Sequence, residues 1–250
     1  MPHFFISSKQ VNNNKIVIND KENYFHIARS LRARKGENLL LIDENQIQYE
    51  TIIKDITNSD IIVEIMKSYK SKRNLDFELY LAQSPLRSDS QNLLIEKATE
   101  LGVKAVFPIK TDNCALNSEM IDKKIQKWQK IMYEASKQCE RAIVPECFER
   151  TTLKNLIENK NFDRIIVFCE RTASKTINDS FNEKQPQKGE KILVIIGPEG
   201  GFSENEFEYF KNNKGIFEML TLGDMILKAD TAAVVALGNI IYEYSKRNQK

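Results

Sequence analysis

The chain has 250 residues, 41% hydrophobic and 29% charged, and its 37 Lys and Arg nearly balance its 35 Asp and Glu, for a formal net charge of +2. This composition is typical of a globular protein and gives no strong bias toward nucleic acid, while nine Gly, six Pro and four Cys exclude collagen-like, disordered and disulfide-dense classes. The length accommodates one large domain or two of modest size.

Short β-rich runs separated by polar clusters dominate the first seventy residues. They lie at residues 15–18, 38–42, 46–52 and 61–65. One candidate helix interrupts them over residues 22–34, and the polar, charged segment 68–74 is predicted to be a linker. The pattern predicts a small, mainly β, barrel-like domain over residues 1–72, followed by a second domain over residues 73–250.

The second part of the chain alternates strands with amphipathic helices. Predicted strands lie at residues 75–81, 103–109, 164–169, 191–196 and 216–222. Predicted helices lie at residues 88–101, 121–135 and 231–245, and another begins after the capping box of Ser203 and Glu206. This alternation predicts an α/β fold with a mostly parallel sheet and helices on both faces. Such sheets bind ligands at the carboxyl ends of their strands.

Five of the nine glycines fall between Gly197 and Gly223, which marks this end of the sheet as functional. The sequence Gly-Pro-Glu-Gly-Gly at residues 197–201 lies between a buried strand and a capped helix. Glycine lets a ligand approach the backbone closely. The spacing matches neither a dinucleotide fingerprint nor a phosphate loop, and Pro198 lacks the N–H donor that a phosphate cradle would use. A neutral or zwitterionic ligand therefore fits better than a polyphosphate, although a purely structural turn is the alternative.

Cysteine and histidine usage limits the chemistry. Cys114, Cys139, Cys147 and Cys169 form no Cys-x-x-Cys pair, and only two histidines are present, so neither a metal site nor a histidine-assisted nucleophile is predicted. The longest apolar stretch without charge, residues 231–242, is shorter than the ~18–20 residues that cross a bilayer. With no secretory signal at the start, a cytoplasmic location away from membranes is expected.

Several ordered motifs along essentially the whole chain resemble the RsmE family, the 16S ribosomal RNA uridine-N3 methyltransferases of the SPOUT superfamily. They include His-x-x-x-x-Leu-Arg at 26–32, Glu-Lys-Ala-Thr-Glu-Leu-Gly-Val at 96–103 with Pro108, Glu134-Ala135 with Gln138, Arg141 and Pro145, and Gly-Pro-Glu-Gly-Gly at 197–201. Leu222-Gly223, Ile226-Leu227 and Thr231-Ala232 complete the set. The family's last motif has arginine and glutamate where this chain has Lys228 and Asp230. The charges agree, but lysine cannot make the planar fork of arginine.

The resemblance implies a PUA-like, RNA-binding β-barrel followed by a SPOUT domain whose sheet forms a deep trefoil knot. It implies S-adenosylmethionine as cofactor, bent among three loops at residues 170–171, 197–202 and 222–231. The implied cofactor-binding residues are Glu170, Gly197, Pro198, Glu199, Gly200, Gly201, Leu222, Gly223, Ile226, Leu227 and Thr231. The implied partners are ribosomal RNA or an assembled small ribosomal subunit. A SPOUT enzyme acting on another RNA, or an RNA-binding homologue with impaired catalysis, remains the alternative.

Candidate catalytic residues follow from the chemistry of uridine. N3 carries a proton and is a poor nucleophile until that proton leaves, so the reaction needs a base or surroundings that favour the anion. Asp230 and Glu199 are the carboxylates considered for substrate handling. Lys228 or Arg141 near O2 or O4 would stabilise the developing charge. The predicted catalytic set is Lys228, Asp230 and Arg141.

Surface patterns give three further expectations. Arg29, Arg32, Arg34 and Lys35 form a basic cluster that is predicted to contact RNA phosphates, with an ordinary solvated face as the alternative. Glu134, Gln138 and Arg141, at i, i+4 and i+7, are expected on one helix face. The wide apolar arc of the last helix, together with the resemblance, predicts a homodimer; burial within its own domain is the alternative. Its members are Ala233, Val235, Ala236, Leu237, Ile240 and Tyr244.

Overall fold

The structure is a computed structural model that describes residues 3–71, 74–159, 161–169 and 173–248. The chain divides into two compact units. The first contains the chain up to Asn74 together with Ser136–Val144, and the second contains Leu75–Ala135 and the chain from Pro145 onward. None of the helices within these described ranges is both long and apolar enough to cross a membrane.

The first unit is built on a six-stranded sheet. Its strands are β1 (His3–Phe5), β2 (Val11–Asn12), β3 (Lys15–Ile18), β4 (Asn38–Ile42), β5 (Ile47–Ile56) and β6 (Ile61–Lys70). Their order in the sheet is β1-β4-β5-β6-β3-β2, and every pair is antiparallel except the parallel pair β1 and β4. Alternate residues such as Ile16 and Ile18 are fully buried, which is the period-two pattern of a sheet with one face on a core.

Two predicted boundaries in this unit are wrong. The segment expected to begin a linker at Ser68 still belongs to β6, because Lys70 pairs with Ile47 of β5. The candidate helix is also shorter than expected: α1 (Lys21–Tyr24) starts at an Asp20 cap, continues as a π-helical segment, Phe25–Ser30, and stops before Arg32, whose φ is +52°.

The second unit confirms the predicted alternation of strands and helices. Its strands are β7 (Glu78–Gln83), β8 (Ala105–Pro108), β9 (Glu146–Cys147), β10 (Arg164–Phe168), β11 (Lys191–Ile196) and β12 (Phe217–Leu220). Its helices are α2 (Ser88–Glu100), α3 (Ser118–Asp122), α4 (Ile125–Gln138), α5 (Leu153–Asn159), α6 (Ile177–Glu183), α7 (Glu204–Asn212) and α8 (Ala229–Asn248). The strand order is β12-β10-β11-β7-β8-β9, and each neighbouring pair is parallel.

Helices cover both faces of this parallel sheet. On one face, Leu156 of α5 and Phe210 of α7 pack with Val167, Leu193 and Phe217 in one hydrophobic cluster. On the other face, α8 packs against β11, α2 and α6. Burial on both faces explains why the central strands read as continuous apolar runs.

The apolar arc of α8 is buried within its own unit. Ala233, Leu237 and Ile240 are fully buried in the single chain, and Tyr244 stacks on Phe77 with ring centroids 4.1 Å apart. This agrees with the alternative interpretation of the sequence pattern. The arc therefore provides no argument for a second copy of the chain.

The helix predicted over residues 121–135 is two helices, because the chain turns at Lys123 and Lys124 between α3 and α4. The expected single face of Glu134, Gln138 and Arg141 is also wrong. Helix α4 ends at Gln138, and Glu140 has a φ of +56°, so Arg141 lies outside the helix.

A buried ion pair holds the amino-terminal end of β10. Arg164 Nε lies 3.1 Å from Glu190 Oε1, and the two side chains are 0% and 2% exposed. Arg164 also donates to Ser180 Oγ at 2.9 Å and to the Lys184 carbonyl at 2.6 Å. These bonds compensate for the loss of water around the guanidinium.

Replacing Arg164 by methionine should lower the free energy of unfolding by about 3–5 kcal/mol, because Glu190 would remain buried without its partner charge. Urea denaturation measures the change. The matched control is Lys104→Met, which removes the exposed Lys104–Glu78 pair, 3.1 Å apart, and should cost at most about 1 kcal/mol. Equal losses in the two variants would contradict a special role for the buried pair.

Candidate active site

The carboxyl ends of three neighbouring strands bring the sequence-predicted loops to one edge of the sheet. β10 lies between β12 and β11, and all three run parallel. The chain leaves these strands after Phe168, Ile196 and Leu220. The three loops therefore start side by side, as the position of ligand sites in open α/β sheets requires. Glu170 and Arg171 of the first loop lie outside the described residues.

Close packing favours glycine at Gly197 and Gly200 of the loop after β11, and backbone conformation favours it at Gly201. A Cβ on Gly197 would lie 3.1 Å from the ring of Phe202, which is buried in the core of the unit. A Cβ on Gly200 would lie 3.3 Å from the Cβ of Asn113. Gly201 has a φ of +73°, which disfavours other residues, and its N–H donates to the Pro198 carbonyl at 2.9 Å. The loop is a tight turn with its backbone close to neighbouring groups.

The segment after β8 forms hydrogen bonds with this loop and with the start of α7. The Asn113 side-chain amide donates to the Gly201 carbonyl at 3.1 Å, and Ser203 Oγ donates to Asp112 Oδ2 at 2.6 Å. Ser203 is the N-cap of α7, and its capping box with Glu206 is the one predicted from the sequence. The Asp112 N–H also donates to Glu206 Oε1 at 3.2 Å. Two loops that are distant in sequence are thus joined at the start of α7.

A buried polar chain at the same edge escaped the sequence reasoning. Gln83, the last residue of β7, is fully buried, and its Nε2 donates to the Gly197 carbonyl at 3.1 Å and to the Ser84 carbonyl at 2.7 Å. Ser84 Oγ in turn lies 2.6 Å from Thr111 Oγ1. Within the part of the chain that the structure describes, Gln83 Oε1 has no hydrogen-bond partner. The available signal was a Gln-Ser pair directly after an alternating apolar strand.

The loop after β12 presents apolar side chains to solvent. Met225 and Ile226 are exposed, Leu222 and Leu227 are partly buried, and Gly223 has a φ of +122°. Exposed large apolar side chains at a strand edge are typical of a ligand-binding surface. The edge thus offers backbone groups, one buried acceptor and apolar side chains, which suits a ligand with both polar and apolar parts.

Lys228 and Asp230 lie together where α8 begins. Lys228 is exposed and its carbonyl accepts from Ala232 N–H at 2.7 Å, while the partly buried Asp230 accepts from Thr231 N–H through Oδ1 at 2.8 Å. The positive end of the helix dipole favours a carboxylate in this first turn. Glu199, the other candidate carboxylate, is exposed and lies 3.6 Å from Arg87 Nε.

The remaining predicted residues belong to the first compact unit. Arg141 is largely buried there, and this desolvation lowers the pKa of its guanidinium to about 10, so the group stays charged at neutral pH. Arg29, Arg32, Arg34 and Lys35 are exposed. They extend from the π-helical segment into the loop before β4.

Comparison with known proteins gives two family matches. A model described as an RNA methyltransferase domain matches residues 73–241, and one described as an RNA methyltransferase PUA domain matches residues 18–66. A curated relative, ribosomal RNA small subunit methyltransferase E 2 of Borreliella burgdorferi, is 30% identical over 90% of each chain. Ribosomal RNA small subunit methyltransferase E of Mesomycoplasma hyopneumoniae is 29% identical over 91% of this chain and 98% of its own.

A solved structure agrees in fold. The crystal structure of ribosomal RNA small subunit methyltransferase E from Neisseria gonorrhoeae, bound to S-adenosyl methionine, has a TM-score of 0.80 and 22% identity, with 96% of each chain covered. The likeness extends over both compact units of the present chain.

Proposed function

This chain belongs to the RNA methyltransferase family, within the ribosomal RNA small subunit methyltransferase E group, and from this premise we propose that it methylates N3 of a uridine in 16S ribosomal RNA with S-adenosylmethionine. The observation that carries the proposal is that the Gly197–Gly201 loop and the loop that leads to Lys228 and Asp230 begin at the same edge of the parallel sheet.

The residues at this edge fit the proposed cofactor. The buried Oε1 of Gln83 has no hydrogen-bond partner among the described residues and could accept from a ligand. No described atom lies within 4 Å of where a Cβ on Gly201 would be, so a ligand could approach the backbone there. The apolar side chains of Leu222, Ile226 and Leu227 would cover the less polar parts. The proposed binding set is Gly197, Pro198, Glu199, Gly200, Gly201, Leu222, Gly223, Ile226, Leu227 and Thr231, with Glu170 by family resemblance. When bound, the cofactor supplies a methyl group that is already activated for transfer.

The chain itself must manage the proton of uridine N3. The carboxylate of Asp230 would accept this proton directly or through water, and the ammonium of Lys228 would stabilise the negative charge that develops on O2 or O4. Arg141, which matches a family motif, is kept as a proposed catalytic residue on that resemblance alone. Holding the base in line with the methyl group would supply much of the remaining rate.

The finer features of the fold are part of the same proposal. The family resemblance supports a trefoil knot in the SPOUT domain and RNA binding by the PUA-like unit, with a division near residue 72. Ribosomal RNA, free or within the assembled small subunit, is the proposed partner, and a cytoplasmic location follows from that substrate.

The decisive experiment compares 16S ribosomal RNA from cells with and without this protein. We expect one uridine to lose its N3 methyl group in the deletion strain and to regain it when the purified chain and S-adenosylmethionine are added. Methylation of a different RNA would support the alternative SPOUT activity. RNA binding without any methylation would support the catalytically impaired homologue.

The basic cluster of the first unit gives a separate prediction. Replacing Arg29, Arg32 and Arg34 by alanine should weaken RNA binding and reduce its salt dependence by up to about one unit of slope per lost phosphate contact. S-adenosylmethionine affinity, measured by calorimetry, should not change. An unchanged salt slope would contradict phosphate contact, and equal loss of both affinities would indicate misfolding.

The proposed active form is a symmetric homodimer, which is supported by the family resemblance. Light scattering of the wild type should give twice the mass of the chain. Substitution at Leu237 or Ile240 cannot test this, because both side chains are fully buried in the single chain and a charge there would impair folding. A monomer that methylates RNA at full rate would contradict the dimer.

A further inference from the structure

In and around the π-helical segment of the first unit, some side chains are buried in the hydrophobic core and others are exposed to solvent. Tyr24, Ile27 and Ala33 point into the hydrophobic core of this unit. Phe25, by contrast, is 59% exposed, one of the most exposed aromatic side chains described. The phenyl ring therefore contributes little to the hydrophobic core of this unit, and its exposure to water is unfavourable.

The backbone of this segment is unusual at two points. Leu31 N–H donates to the His26 carbonyl, five residues back, at 2.9 Å, which is the spacing of a π-helix. Arg32 then adopts a φ of +52°. π-helical turns and non-glycine residues with positive φ both carry an energetic cost and occur often at functional sites. Both lie within seven residues of Phe25.

Positive charge predominates in the chain from Phe25 onward, whereas exposed Glu22, three residues before Phe25, is the nearest negative charge in the sequence. Residues 25–35 contain three Arg and one Lys and no Asp or Glu. Because side chains four apart lie on nearly the same side of a helical turn, Arg29 is displayed on the same side as Phe25. A ring beside guanidinium groups suits a ligand with flat aromatic faces and regularly spaced negative charges. Single-stranded RNA has both features, since unpaired bases stack on aromatic side chains and phosphates pair with arginine.

We propose that Phe25 is the stacking platform for an unpaired RNA base, while Arg29 and its basic neighbours hold the flanking phosphates. The inference rests on the proposed function, because it takes RNA as the substrate, and it adds the form of RNA that the first unit selects. A uridine inside a duplex has its N3 hydrogen-bonded to its partner base. Selection of unpaired nucleotides by the first unit would favour RNA in which N3 is accessible.

The test uses the full-length chain, saturated with S-adenosylmethionine, and a short fluorescein-labelled single-stranded RNA together with its duplex. Anisotropy titrations should show tighter binding of the single strand. Phe25→Ala should weaken that binding about five- to hundredfold, the usual effect of losing one stacked base, and leave duplex binding and the salt slope unchanged. Phe25→Trp should retain wild-type affinity. Arg29→Ala should lower the salt slope instead.

The matched control is Met66→Ala in the same unit, since Met66 on β6 is 65% exposed and is also a large apolar side chain. It should leave RNA affinity unchanged. Wild-type RNA affinity in Phe25→Ala would overturn the inference, as would equal loss in Phe25→Ala and Met66→Ala. A change in mass by light scattering at unchanged RNA affinity would assign Phe25 to a contact between chains and also overturn it. Absence of binding to the single-stranded RNA by the wild type would also overturn the inference, whereas the proposed function is tested separately by methylation of 16S ribosomal RNA.

Discussion

Replacing Asp230 by asparagine should lower the rate of methyl transfer by about 10²–10⁴-fold, the usual contribution of a general base. The asparagine Oδ1 can still accept the hydrogen bond that Thr231 N–H gives to Asp230 Oδ1 at 2.8 Å, so the first turn of α8 should keep its structure. Only the carboxylate charge and its proton affinity are removed. Single-turnover transfer of labelled methyl groups to 16S ribosomal RNA measures the effect.

The control for this variant lies in the same loop. Asp224 is exposed and follows the same strand, β12, so Asp224→Asn makes the same chemical change without touching α8 and should retain full activity. S-adenosylmethionine affinity and thermal stability should be unchanged in both variants. Glu199→Gln tests the competing base. A large loss of methyl-transfer activity in Glu199→Gln, combined with full activity in Asp230→Asn, would identify Glu199 as the general base.

The position of the candidate site could be predicted because it depends on a simple geometric rule. Alternating strands and helices indicate a parallel sheet, and parallel strands place their carboxyl ends at one edge. This rule predicts that the glycine loop and the loop after β12 begin at that edge, and Ser203 and Glu206 form the predicted capping box. These features are local in sequence, so the residue types and their spacing were enough.

The features that were missed depend on contacts between distant parts of the chain. Gln83 reaches the carbonyl of Gly197, 114 residues away, and no local pattern indicates that pairing. The polar composition of Ser68–Lys70 predicts a linker, but pairing with β5 keeps these residues in β6. Arg141 is a local exception: its spacing from Glu134 predicts a shared helix face, but α4 ends at Gln138 and a positive φ at Glu140 breaks the helical regularity. Pairing across a sheet can override local composition.

The apolar arc of α8 shows how burial within one unit can look like an interface in the sequence. An arc this wide suggests a second partner, with burial in the same domain as the alternative, and α8 packs against β11, α2 and α6 at once. Three neighbours within the unit cover more of the helix than one sheet contact would. The width of an apolar arc therefore indicates how many elements pack against the helix. It does not indicate whether those elements belong to the same chain or to a second copy.

Substitution of Gly200 by valine should weaken S-adenosylmethionine binding by about 5- to 150-fold, because the added methyl groups must displace either Asn113 or the ligand, and such overpacking costs ~1–3 kcal/mol. The Cβ alone would lie 3.3 Å from Asn113 Cβ, and Asn113 is an exposed loop residue, so the fold should survive. Gly215→Val is the control, since nothing lies within 4 Å of its added Cβ and Gly215 precedes β12, away from the carboxyl edge of the sheet. Calorimetry measures the affinity of both folded variants for S-adenosylmethionine. Equal affinity in the two would show that this loop is not part of the cofactor site.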